Sequence, residues 1–295
     1  MLLFRSTPLQ RAAADALVFS AKVLVPALFP FAVLSRFLLL SGLLPTKGKF
    51  VRSVARLFHL SPETLPAFAV GLFCGFPMGA FAAASLLESG GIGKEEAYRT
   101  ASVANNASAA FLLISAGALF GSPLCGRILF ISQTAASLTV ALFWARRAKK
   151  NSPPQNKTLT PKERAPLPLM PLAADAIVKA GTAMLSVTAF VVFFSVIAEA
   201  VSQIPALLPL TPLILSFLEA TSAVKMAAGL VGSLGLPLAL SLAAFAVGFS
   251  GLSVLMQSQA CFDGKLPLTP LVTCRAAIAA LSALFALLLS LAFGL

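Results

Sequence analysis

The residues able to do chemistry lie in four short stretches: CGFPMGAF (74–81), VANNASAAF (103–111), LEATSAVKM (218–226) and GFSGLSVLMQ (248–257). Gly75, Pro77 and Gly79 are poor choices for a helix that only has to span. Pro removes a backbone donor and clashes with the preceding turn, and Gly adds freedom that folding must remove. A break there, with Phe76 beside it, frees N–H and C=O groups that can act as ligands. Asn105 and Asn106, read as helical, point about 100° apart, so one face cannot hide both amides. They and Ser108 need a partner helix, a water or a ligand, and interhelical bonding and a solute site both stay open. Glu219, Thr221, Ser222 and Lys225 interrupt another apolar stretch, where each charge costs roughly 2.5–3.5 kcal/mol on insertion scales. A Glu219–Lys225 ion pair would hold that tip closed. Alternatively, Lys225 meets an anion while Glu219 carries a proton or sodium ion. In the fourth stretch Gly248 and Gly251 permit close helix approach or local unwinding. Ser250 and Ser253 add hydroxyls, and Gln257 lies two turns beyond Ser250 on the same face.

Other chemistries are excluded or unsupported. His59 is the only histidine and lies in a loop, which removes histidine-based metal sites and Ser-His-Asp catalysis. Cys74, Cys125, Cys261 and Cys274 form no CxxC pair and read as packing residues, with neither a disulfide nor a metal expected. No phosphate-binding glycine loop for ATP is present. The chain is expected to be no enzyme and to need no cofactor. Asp15 and Asp175 read as helix-start charges or caps. Glu88, Glu95 and Glu96 read as a solvated turn and helix start.

The elements that must position these residues are membrane helices. Of 295 residues 58% are apolar and 11% charged, against about a quarter charged in soluble domains, and mean hydropathy is +0.93. Eight apolar segments stand out: 14–40, 65–88, 100–121, 126–145, 173–200, 206–233, 236–260 and 270–294. Most are long enough to cross a bilayer core of about 30 Å. A basic, proline-rich linker at 146–170 divides them into two repeats, 13–145 and 171–295. These open alike, with AADAL at 13–17 and AADAI at 173–177. The net charge of +12 lies mostly in connecting loops, so it points to membrane sidedness rather than nucleic acid. If the segments at 62–89 and 206–234 enter and leave on one side, fourteen loop Lys and Arg fall inside and three outside. If all eight segments span, the division is eleven to six. The first arrangement obeys the positive-inside rule better, and it gives each half three crossings and thus opposite orientation. The expected fold is therefore an all-α polytopic membrane protein, an inverted repeat with two re-entrant hairpins. A Pro-kinked spanning helix is the alternative for the first hairpin, and spanning stays open for the second.

GFPMGAFAAASLLESGGIGKEEAYRTASVANNASAAFLL, followed by FGSP, resembles the sporulation integral membrane proteins of the YlbJ/SpoVV family. VLVPALFPFAVLS, SFLEATSAVK and GFSGLSVLMQ extend the similarity over most of the chain outside the linker. Phe76 stands where the family pattern has Tyr, and Met256 where it has a small or polar residue. The resemblance implies a nucleoside-recognition or Gate domain and an organisation similar to concentrative nucleoside transporters. It also implies movement of a small anionic solute, dipicolinic acid, across the outer forespore membrane of a spore former. Gly75, Phe76, Pro77, Gly79, Asn105, Asn106, Ser108, Glu219, Thr221, Ser222, Lys225, Ser250, Ser253 and Gln257 would line the solute site. A coupling ion and a homo-oligomer stay open, as does a non-transporting scaffold or ligand sensor.

Overall fold

The computed structural model describes residues 6–44, 48–151, 168–204 and 210–295, and among these every regular element is helical. The first half opens with α1 (Ser6–Phe19), which runs through a π-helical turn, Ser20–Leu24, into α2 (Val25–Ser41). The wide turn ends just before Pro26. That residue has no N–H, and its ring crowds the carbonyl four residues back, so the helix widens instead of breaking. After α3 (Lys49–Phe58) come two short helices, α4 (Leu65–Phe73) and α5 (Met78–Glu88). Next is a helix in two pieces: α6 (Lys94–Val103), then a π-helical piece, Phe111–Ala116, continuing as α7 (Gly117–Leu119). The half closes with α8 (Pro123–Asn151).

Beyond the linker a similar run of helices follows, without a counterpart of α3 among the described residues. A long helix, α9 (Leu169–Ser202), precedes the short α10 (Thr211–Leu218), α11 (Ala220–Gly229) and α12 (Val231–Leu234). A two-piece helix, α13 (Leu236–Phe249) and α14 (Gly251–Cys261), leads to the last long one, α15 (Leu268–Ala292).

Five stretches are long and apolar enough to cross a bilayer: Thr7–Ser41, Pro123–Arg147, Leu169–Ser202, Leu236–Cys261 and Leu268–Ala292. The chain is a multi-pass, all-helical membrane protein. Burial separates an inner helix from outer ones. The most apolar window of Leu236–Cys261 is 72% buried, whereas those of Thr7–Ser41 and Leu169–Ser202 are 22% buried. The outer two pack along each other and turn Leu17, Phe31, Val178 and Leu185 outward. Two apolar grooves open at the surface, one beside these helices and one between α8 and α15. One runs between α2 and α9 along Phe29, Val33 and Ile177, and the other along Ile131, Phe285 and Leu288.

Small residues bring the inner helices together. A Cβ at Gly248 of α13 would stand 2.7 Å from the Ala279 Cα of α15, so these two backbones touch. Ala239, Ala243, Ala244 and Val247 carry that contact into a cluster with Leu112, Ile128, Val224 and Ala286. The four cysteines are free thiols beside such clusters.

Several expectations are corrected. Residues 41–61 are not a plain loop, because α3 occupies 49–58. The linker begins later than 146, since α8 continues to Asn151; residues 152–167 lie outside the described residues. Residues 205–209, at the start of the expected second hairpin, also lie outside them. Asp15 and Asp175 cap nothing, for each sits well inside its helix. Asp175 binds Arg36 instead.

Candidate functional site

Helix α4 ends at Phe73, and α5 starts at Met78 after a tip with Gly75 at φ +101° and a cis Phe76–Pro77 peptide. The two short helices fold against each other at glycines. A Cβ on Gly71 would lie 2.9 Å from the Gly79 Cα. The second helix of this region breaks at the same place. Residues 104–108 leave the helix, and the Ala104 carbonyl oxygen enters the seam between α4 and α5. It would stand 1.9 Å from a Cβ on Gly71 and 1.7 Å from one on Gly79. The Asn106 N–H then donates to the Gly71 carbonyl at 2.9 Å. Only hydrogen on both Cα atoms leaves room for this insertion.

Asn105 and Asn106 are therefore not on two faces of one helix, as the spacing had suggested. Both lie in unwound chain and are buried, at 1% and 0% exposure. Ser108 restarts the helix, its Oγ accepting from the Phe111 N–H at 3.1 Å, as an N-cap does.

The second half builds a parallel junction. Glu219 stands alone in extended conformation (φ −152°, ψ 119°) between α10 and α11. Its carboxylate accepts from the N–H groups of Thr221 at 2.8 Å and Ser222 at 2.6 Å, which caps α11. The break of the following helix fits against it. Ser250 (φ 71°) and Gly251 (φ 79°) are both left-handed, and a Cβ on Gly251 would stand 2.8 Å from the Leu218 carbonyl oxygen. Ser250 and Ser253 are buried, and Gln257 donates to Ser253 Oγ at 3.1 Å. The Glu219–Lys225 ion pair is not formed among the described residues, and Lys225 is exposed. Phe76, at the first tip, packs in the same apolar cluster as Val224 and Ala227 of α11.

Between the junctions lies a buried polar cluster drawn from five elements. Asn105 Nδ2 donates to Ser258 Oγ of α14 at 2.9 Å. Asn106 Oδ1 accepts from Ser137 Oγ of α8 at 2.8 Å and lies 3.5 Å from Nη1 of Arg275 in α15. Gln133 Nε2 donates to the Val247 carbonyl, near the end of α13, at 3.0 Å; Arg275 Nη2 approaches the same oxygen at 3.5 Å. Sequence reasoning missed Gln133, Ser137, Ser258 and Arg275. The available signals were a lone charge inside segment 270–294 and an i, i+4 polar pair inside 126–145.

A second charged group ties the first junction down. Arg36, nearly buried on α2, donates from Nε to Asp175 of α9, from Nη1 to Ser85 and from Nη2 to Glu88. Those bonds measure 2.8–2.9 Å. Lys179 also reaches Glu88, so this carboxylate at the end of α5 is paired rather than part of a solvated turn. Glu96 likewise holds structure together, accepting from the Ser61 N–H and Thr64 Oγ1, and Arg99 donates to the His59 carbonyl.

Comparison with family models, curated proteins and solved structures returned no match.

Proposed function

We propose that this membrane protein is a secondary transporter of a small anionic solute, built as an inverted repeat with two re-entrant hairpins. The observation that carries this reading is the course of residues 59–108. The chain on either side of the α4–α5 pair is joined by Glu96 to Ser61 and Thr64 and by Arg99 to His59, while the broken tip lies against the buried break at 104–108. Ends that meet and a tip that reaches buried polar groups support a segment that enters and leaves on one side. Irregular backbone at membrane depth belongs where it is buried in protein or lines a cavity. Broken helices in paired repeats are the usual ground plan of transporter sites.

Helix α3 supports the sidedness. Lys49, Arg52 and Arg56 share one face with no acidic residue, while Phe50 and Leu57 are exposed beside them. Such a helix suits the surface of an anionic leaflet. The resemblance to YlbJ/SpoVV proteins makes dipicolinate the first solute to test, with the outer forespore membrane as the location in a spore former.

Two measurements test the proposal. Purified protein in liposomes should take up radiolabelled dipicolinate above empty liposomes, with a sodium or pH gradient identifying any coupling ion. Absence of uptake under every gradient would remove the transport reading. In a cysteine-free background, Ser53→Cys, Glu95→Cys and Asp263→Cys should all label from the same side of the membrane. If Glu95→Cys labels from the opposite side, the two segments span and the repeat is not inverted.

A further inference from the structure

Helix α15 carries one charged side chain in 25 residues, Arg275, and it has 0% exposure. A guanidinium has five N–H donors and cannot shed its charge at ordinary pH. Here Nη1 and Nη2 reach neutral oxygens only at 3.5 Å, the outer edge of hydrogen bonding, and Nε has no partner. None of the ion pairs among the described residues involves Arg275. Its polar surroundings, Asn106, Gln133, Ser137 and the Val247 carbonyl, are neutral. The Asn106 amide adds a second unused donor, because Nδ2 is buried without a partner. Arg36 shows the contrast within the same chain, for its nearly buried guanidinium is bonded to two carboxylates at 2.9 Å.

A buried cation with spare donors, beside another spare donor, is a site for an anionic oxygen pair. We propose that Arg275 and the Asn106 amide bind a carboxylate group of the solute. The guanidinium fork would take the two oxygens, replacing its long contacts to Asn106 Oδ1 and the Val247 carbonyl. This rests on the anionic-solute reading above and names the residues that read the charge. The site lies where the first helix break meets α8, α13 and α15, so an occupied site would connect both halves.

Thermal unfolding of the full-length protein in detergent tests the inference apart from flux. Dipicolinate and picolinate should each stabilise the protein, and the uncharged diamide of dipicolinate should not. Arg275→Gln should weaken the apparent affinity at least about tenfold, and Arg275→Lys should recover only part, since an ammonium lacks the fork. Asn106→Asp supplies a resident carboxylate with little change of shape. It should raise Tm by about 3 °C or more and remove the response to the acids. Absence of stabilisation by both acids, equal stabilisation by the diamide, or unchanged acid binding in Arg275→Gln and Asn106→Asp would each overturn the site. Binding that obeys these expectations without flux would leave the site and remove transport. Flux with unchanged binding in Arg275→Gln would do the reverse.

Discussion

The two halves solve the same problem with different chemistry. In the first, five residues, 104–108, leave the helix, and their amides reach α8, α14 and α15. In the second, the break is confined to Ser250 and Gly251 in left-handed conformation, with no amide side chain in it. The short pairs differ in parallel. The α10–α11 junction is one residue, Glu219, which satisfies two N–H groups of α11 with its own carboxylate. The α4–α5 tip has no side-chain cap on α5, and the far end of α5 is tied by Ser85 and Glu88 to Arg36. The second junction thus closes on itself. The first retains buried, unpaired Asn105 Oδ1 and Asn106 Nδ2. On the proposed reading, solute recognition falls to the first break together with α15 of the second half.

Glycine substitutions give the largest expected contrast. Gly79→Ala places a Cβ against the Ala104 carbonyl, which is held in a seam of backbone, so a loss of about 4 kcal/mol or more is expected. Gly251→Ala adds a less severe overlap and a left-handed penalty, about 1–3 kcal/mol. The yield of monodisperse protein and its Tm report both, and equal losses would mean that the two seams are equally tight. Arg36→Met comes next. It strips Glu88 and Asp175 of their shared partner and should cost about 2 kcal/mol, since both carboxylates are partly exposed and Glu88 keeps Lys179. An unchanged Tm in that variant would show that the first pair needs no tether. The smallest effect is expected at the caps. Ser108→Ala and Glu219→Ala should each lower stability by about 1 kcal/mol. Glu219→Gln should lose less than Glu219→Ala, because its one amide oxygen still accepts from one of the two N–H groups. If Glu219→Gln keeps its Tm yet abolishes flux, Glu219 carries an ion, and the second junction is not merely structural.

Much of this arrangement was legible beforehand. Gly75, Pro77 and Gly79 announced the first interruption, and the polar run at 219–225 announced the second, because an apolar helix tolerates neither without a reason. The two AADA stretches fall in α1 and α9, the first long helix on each side of the linker. Three readings were displaced by packing. The two asparagines were read on helical geometry, yet the seam at Gly71 and Gly79 draws their chain out of the helix. Lys225 was a candidate partner for Glu219, yet among the described residues it is exposed on α11 and that ion pair is not formed. The amphipathic α3 lay concealed in what a loop count treats as four scattered cations.

Composition and periodicity determined on their own that the chain lives in a membrane, that it is helical, and where its helices cannot continue. Those properties depend on local chemistry: apolar length, missing donors and the freedom of glycine. Only the tertiary structure decided which buried charges are satisfied. Arg36 and Arg275 look alike in sequence, each a single arginine inside an apolar run, and what separates them is which helices bring a carboxylate within reach. Distance between elements far apart in the chain sets that difference, and no local pattern encodes it.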